Sequence, residues 1–148
     1  MISDHNINGK QVNCRDKDGW TPLHLAALFD KTRCAAELLK DASVDKDVVN
    51  TNGWTPLHVA AWRGNKATVE LLVGTVITKL FFYPLLISYL EKGADMRLKN
   101  NDQVSPSQLA LRCKEYEIAD MLKVLAAMTR ELTFSRRKWK HKAIHPTL

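Results

Sequence analysis

Only three cysteines occur in the 148 residues, Cys14, Cys34 and Cys113, an odd number with no CxxC pair among them. That excludes a disulfide framework, argues against a structural zinc site, and fits a reducing intracellular setting, cytoplasmic or nuclear. The thiols are expected to sit as small, inert core or helix residues. The opening stretch, MISDHNINGKQ, lacks the apolar core of a secretory leader, so secretion is disfavoured. No glycine-rich phosphate loop, no Ser/His/Asp set and no carboxylate pair is present, and so no catalytic, cofactor or metal residue is assigned: the chain reads as a non-enzyme. His141 and His145 stand four apart, but two ligands without others nearby do not make a zinc site.

What is present begins with ordinary globular composition, 45% hydrophobic and 26% charged, which argues against disorder throughout and suits one domain. The net charge of +6 is unevenly placed. From Thr129 onward six cations stand against one acid, Glu131, for a local +5. The high pI therefore belongs to the C-terminal segment.

The dominant feature is a repeat. GWTPLHLAA at 19–27 returns as GWTPLHVAA at 53–61, offset by 34 positions. Gly19 permits a turn with positive φ, Thr21 is a good N-cap, and Pro22 suits the first helical position. Leu23, Ala26 and Ala27 follow at helical spacing, the alanines allowing a second helix to approach closely. A second helix is predicted at CAAELLK (34–40) and at ATVELLV (67–73), each followed by a turn-forming stretch. Neither helix pair can bury its apolar face alone, so the units must stack.

On these residues the chain resembles an ankyrin-repeat protein, over roughly Gly9 to Leu125. The resemblance implies an all-α solenoid of stacked helix-turn-helix units with extended loops. Residues 1–12 read as an incomplete N-terminal repeat remnant, 13–128 as about three repeats, and 129–148 as a basic tail expected to be disordered. The uncapped first repeat suggests a truncated product or an isoform of a longer array. From Thr21 to Glu37 the first repeat is one residue longer than the second from Thr55 to Glu70, which places an extra residue in or near its helix–helix turn. A third copy has decayed to SPSQLALRC, with Gln108 at the His position. Its second helix, with Ile118, Met121, Leu122 and Leu125 on one face, suits a terminal cap.

Thr55 to Ser105 spans 50 positions, 17 more than the 33-residue family period. Removing residues 74–90, GTVITKLFFYPLLISYL, restores VELLV-EKGAD. A membrane span of this segment is interrupted by Lys79 and Pro84 and would put halves of one stack on opposite sides of a bilayer. A docking arm, or a lengthened outer helix broken at Pro84, is the second reading. The preferred one is a translated intron. Seventeen codons keep frame, a GT donor fits the second base of the Gly74 codon, and an AG acceptor fits across Leu90–Glu91 while regenerating Glu.

The resemblance implies function as a non-catalytic protein-binding adaptor or scaffold that presents loop tips and the inner helices, and it assigns His24 and His58 to hydrogen bonds within and between repeats. Mapped onto this sequence, the partner surface comprises Arg15, Lys17, Trp20, Phe29, Asn50, Asn52, Trp54, Trp62 and Arg63, with Leu28 and Val49 beside them. Exposed Trp and Arg are the residue types that dominate interface energies. The partner is a protein whose identity is unreadable, and the chain is expected to be monomeric, without cofactor. Arg136, Arg137, Lys138, Lys140 and Lys142 form a basic patch. It suits nuclear targeting or nucleic-acid contact, a lesser reading than a solvated tail. Membrane association through 74–90 is a further alternative.

Present in the protein, residues 74–90 expose Phe81, Phe82, Tyr83, Leu85 and Leu86 without an evident partner face. The form lacking them is expected to melt higher than the full chain; an equal or higher melting temperature for the full chain would favour the docking-arm reading.

Overall fold

The computed structural model describes residues 12–74 and 93–144, with side chains of the last helix described as far as residue 131. Six helices and no strand occur among these residues. They are α1 Pro22–Leu28, α2 Thr32–Lys40, α3 Pro56–Arg63, α4 Lys66–Val73, α5 Pro106–Arg112 and α6 Tyr116–Ile144. They pair as inner and outer helices, α1 with α2, α3 with α4 and α5 with α6. The inner helices α1, α3 and α5 lie side by side across the stack.

Each inner helix starts in the same way. Thr21, Thr55 and Ser105 are extended N-caps whose hydroxyls accept from the backbone N–H of His24, His58 and Gln108, and proline occupies the first turn. The third helical residue answers in kind. Nδ1 of His24 and of His58 accepts from the cap's own backbone N–H at 3.2 Å, and Gln108 Oε1 does so at 2.9 Å. This is a capping box with imidazole in the place usually held by Glu or Gln.

Between helices the chain reverses through one left-handed residue, Asp30, Gly64 or Lys114. The N–H of the next residue then reaches back to Ala26, Ala60 or Ala110. The N-caps Lys31 and Asn65 are 34 apart, so the helix–helix turns are of equal length. The extra residue of the first repeat lies instead in its outer helix, nine residues in α2 against eight in α4. Buried Ala35 and Val69, also 34 apart, share that register, whereas Glu37 and Glu70 do not.

The core is built from small residues where helices touch and from leucines between them. Ala27, Ala35, Ala60, Ala61, Ala110 and Ala119 are all fully buried. Leu57 and Leu122 are fully buried, and Leu23 and Leu72 nearly so. Cys14 and Cys34 do not join this core; both are exposed, and Cys113 is half-buried. Cys34 lies on the open side of the first repeat, in a groove with Pro22, Leu25, Phe29 and Leu38.

Two further expectations meet the structure at its ends. The segment from 129, predicted to be disordered, is helical as far as Ile144, because α6 runs on without interruption. Its basic residues Arg136, Arg137, Lys138, Lys140 and Lys142 fall in this helix, but their side chains, like that of His141, lie outside the described part; so do His145, the N-terminal remnant 1–11 and the apolar residues 75–90. At the insertion, Gly74 closes α4 in a left-handed conformation. The chain resumes with Ala94 N–H donating to Leu72 O at 2.9 Å. A Cβ on Gly93 would stand 2.5 Å from Val73 O, so the two ends meet.

Between loops, Gly19, Gly53 and Gln103 hold equivalent left-handed positions. A side chain at 53 would be strained by φ +73 and would bring its Cβ 2.8 Å from the backbone nitrogen of Asn101. Gly53→Ala is therefore expected to destabilise by about 1–3 kcal/mol in urea denaturation, while Gln103→Gly, which relieves a left-handed side chain, raises the midpoint modestly. The same sign for both substitutions would contradict this register.

Candidate functional site

The inner helices and the loops that precede them form one surface, and its rigidity starts with three loop anchors. Asp16 Oδ1 accepts from the N–H groups of Asp18 and Trp20. Asn50 Oδ1 accepts from Asn52 and Trp54, and Asn100 Oδ1 from Asp102 and Val104. Successive loops are then joined edge to edge. Thr51 N–H donates to Asp18 O and Asn101 N–H to Asn52 O, both at 3.1 Å, while the Arg15 guanidinium donates to Val49 O at 2.5 Å.

Each histidine locks its helix to the following loop. Because Nδ1 of His24 accepts from Thr21, the ring proton is on Nε2, which donates to Trp54 O at 2.8 Å. His58 repeats the arrangement, with Nε2 donating to Val104 O at 3.0 Å. Both rings are fully buried. Burial holds both below their ordinary value of 6.5, opposed by the carbonyl that each ring engages. The imidazoles are neutral structural bridges within and between repeats, as the sequence implies.

Above this layer the tryptophans divide. Trp20 and Trp54 are half-buried and pack against the core. Trp20 meets His24 edge-on at 5.5 Å, and Trp54 tilts over His58 at 6.4 Å. Trp62 is 39% exposed, with its ring edge-to-face with Trp54 at 5.6 Å and the Arg63 guanidinium 5.4 Å above its own ring centroid. Trp54, Trp62 and Arg63 are thus one cluster, supported from below and open above.

The other expected partner residues separate by burial. Lys17 and Asn52 are exposed on the loops, and Arg15 is exposed though engaged with Val49 O. Phe29 is 63% exposed at the end of α1. Asn50 does not belong with them: it is 4% exposed, and its carboxamide is consumed by the loop it anchors. Leu25, Leu111 and Arg112 are exposed on inner helices and were not among the predicted residues. For Leu111 a signal existed. It falls where the earlier repeats have Ala27 and Ala61, and a leucine at a position reserved for close approach marks an uncovered face.

Comparison with known proteins follows this geometry. A model of ankyrin repeats (3 copies) matches residues 2–80, just over half of the chain. A search of curated proteins finds no match.

Protonating either imidazole would turn Nδ1 into a donor facing the cap's N–H and hydroxyl. The unfolded chain takes up these protons near pH 6.5, the folded chain only at lower pH, so the unfolded state binds more protons in between. Stability should be level above about pH 7 and fall as pH drops towards 5. His24→Gln with His58→Gln keeps the capping oxygen seen at Gln108, loses the bridges, and should flatten this slope at a lower plateau. Urea midpoints across pH 5 to 7.5 read both; an unchanged slope in the double variant would assign the effect to other groups.

Proposed function

Because the chain belongs to the ankyrin-repeat family, whose repeats are generally non-catalytic protein–protein interaction modules, we propose that it is an adaptor or scaffold that captures a protein partner on the surface formed by its inner helices and loop tips. One observation carries the reading. The Trp54–Trp62–Arg63 cluster is an aromatic and guanidinium group held open on a scaffold whose loops and helices are already fixed by hydrogen bonds. Side chains of this kind lose little entropy on docking, since rings and support are ordered beforehand. Trp and Arg are also the residues on which interface energies concentrate. Among the described residues no helix is long and apolar enough to cross a membrane.

Trp54 is shared between core and surface, so the diagnostic substitution is at its exposed neighbours. Trp62→Ala with Arg63→Ala is expected to leave the thermal midpoint within a few degrees of the parent. Partners that copurify with the parent chain should be lost, by at least tenfold in affinity where one can be titrated, roughly 1.4 kcal/mol or more. Partners retained in full by the folded variant would move the binding surface elsewhere.

A further inference from the structure

The three inner helices contain no Asp or Glu at all: their sequences are PLHLAAL, PLHVAAWR and PSQLALR. Acids are instead segregated to the outer helices, as Glu37, Glu70, Glu117 and Asp120. There Glu37 pairs with Lys40, Glu117 with Lys66, and Asp120 with Lys123. What the inner helices and their ends expose is Leu25, Phe29, Trp62, Leu111, Arg63, Arg112 and the neutral Gln108; Leu25 and Leu111 match the buried Val59 and Ala61, so they lie on surfaces that the second repeat uses for stacking and not beside Trp62. Neither Arg63 nor Arg112 has an acidic partner among the described residues, and Arg63 rests on the Trp62 ring alone.

Of the acids around this surface, Glu115 stands beside Gly64, its carboxylate 2.6 Å from where a Cβ there would be, without an ion pair to Arg63 or Arg112. Asp30, in the first turn, already accepts from the Thr68 hydroxyl, and Asp16 is occupied within its own loop. In the three loops five cations stand against six acids, a net −1 that comes from Asp45 and Asp47 against Lys46, so the positive charge of this surface is that of the two inner-helix arginines. By the repeat register Trp62 and Arg112 are equivalent positions on α3 and α5, which pack against each other. Aromatic and cation are therefore on neighbouring helices of one face.

Resting on the adaptor reading above, we infer that the partner segment is an acidic amphipathic peptide, with apolar side chains for Trp62 and the Trp54 edge beneath it and carboxylates for Arg63 and Arg112. A guanidinium takes a carboxylate through two parallel N–H donors, and its weak hydration makes that exchange with water less costly than for lysine. Apolar contact supplies affinity, while the absence of acids on the face rejects a basic peptide by leaving both arginines facing like charge.

The test is fluorescence anisotropy of the full chain with three labelled probes: a peptide of alternating Leu/Phe and Glu, the same peptide with Lys for Glu, and a single-stranded oligonucleotide. The Glu peptide should bind in a salt-sensitive manner. Its affinity should fall roughly tenfold in Arg63→Glu with Arg112→Glu, and clearly in Trp62→Ala. Binding should be unmoved when Arg136, Arg137 and Lys138 are changed to Gln in the full chain. Should the charge-reversed pair fail to fold, Arg63→Gln with Arg112→Gln gives the same readout at smaller amplitude. Equal binding of the Lys peptide, undiminished binding by the arginine variants, loss of binding on neutralising the C-terminal cations, or preference for the oligonucleotide through Arg63 and Arg112 would each overturn the inference. Partners lost in the Trp62/Arg63 variant while the Glu peptide never binds would sink this inference and leave the adaptor reading standing; partners retained there would sink both.

Discussion

One buried imidazole in each of the first two repeats holds two levels of structure together. Its Nδ1 completes the cap of its own helix, and the tautomer this enforces aims Nε2–H at a carbonyl in the next repeat. Local helix initiation and long-range stacking thus depend on the same ring, and a ring in the wrong charge state would fail at both. Sealed from water, a neutral donor and acceptor with partners at both ends carries no desolvation debt, and no buried side-chain polar atom lacks a partner among the described residues. The third repeat shows what remains when the second task lapses. Gln108 still closes the capping box, and no inter-repeat bond from it is seen.

Rigidity of the inner surface follows from that bridge. The carbonyls that the histidines engage, Trp54 O and Val104 O, also accept from Asn50 N–H and Asn100 N–H in their loops. The second and third loops are then pinned by their Asx side chains from within, by the preceding histidine from below, and by the neighbouring loop at the edge. Exposed side chains on such a frame are presented in fixed register, helix after helix. This is why a face only three repeats wide can carry a composed pattern of apolar and cationic groups, and why a shared core residue such as Trp54 can serve both packing and presentation.

Much of this was legible from the repeated nine residues alone. The N-caps, the prolines, the alanine contact face and the two-helix unit all follow from local rules that tertiary structure did not override. Failures came where one residue type serves two ends. Asn50 reads as a polar loop tip, yet Asn is also the side chain that best folds back onto its own backbone, and that use buries it. Cys34 reads as a small core or helix residue, and it lies in a helix but exposed, on the side of the first repeat away from the second. The extra residue was assigned through Glu37 and Glu70, which look equivalent in sequence while the buried pair Ala35 and Val69 sets the true register. The helix beyond residue 129 was discounted because its cations suggested solvation, although nothing in the stretch from Met121 to Ile144 breaks a helix.

At the insertion point the stack holds both described ends of the chain. Among the described residues the second and third repeats are joined by His58 to Val104, Asn101 to Asn52 and Thr51, Lys66 with Glu117, and Asp95 to Asp47. On either side Gly74 and Gly93 are brought together by the Ala94–Leu72 hydrogen bond, so the ends of any intervening segment are held by the scaffold itself. The chain-entropy cost of joining two held ends grows only logarithmically with the number of residues between them. An insertion inside a capping box or a histidine bridge, by contrast, would remove a contact on which two repeats depend. The seam at the end of the outer helix therefore lies apart from the histidine bridges and loop bonds that make the inner face rigid.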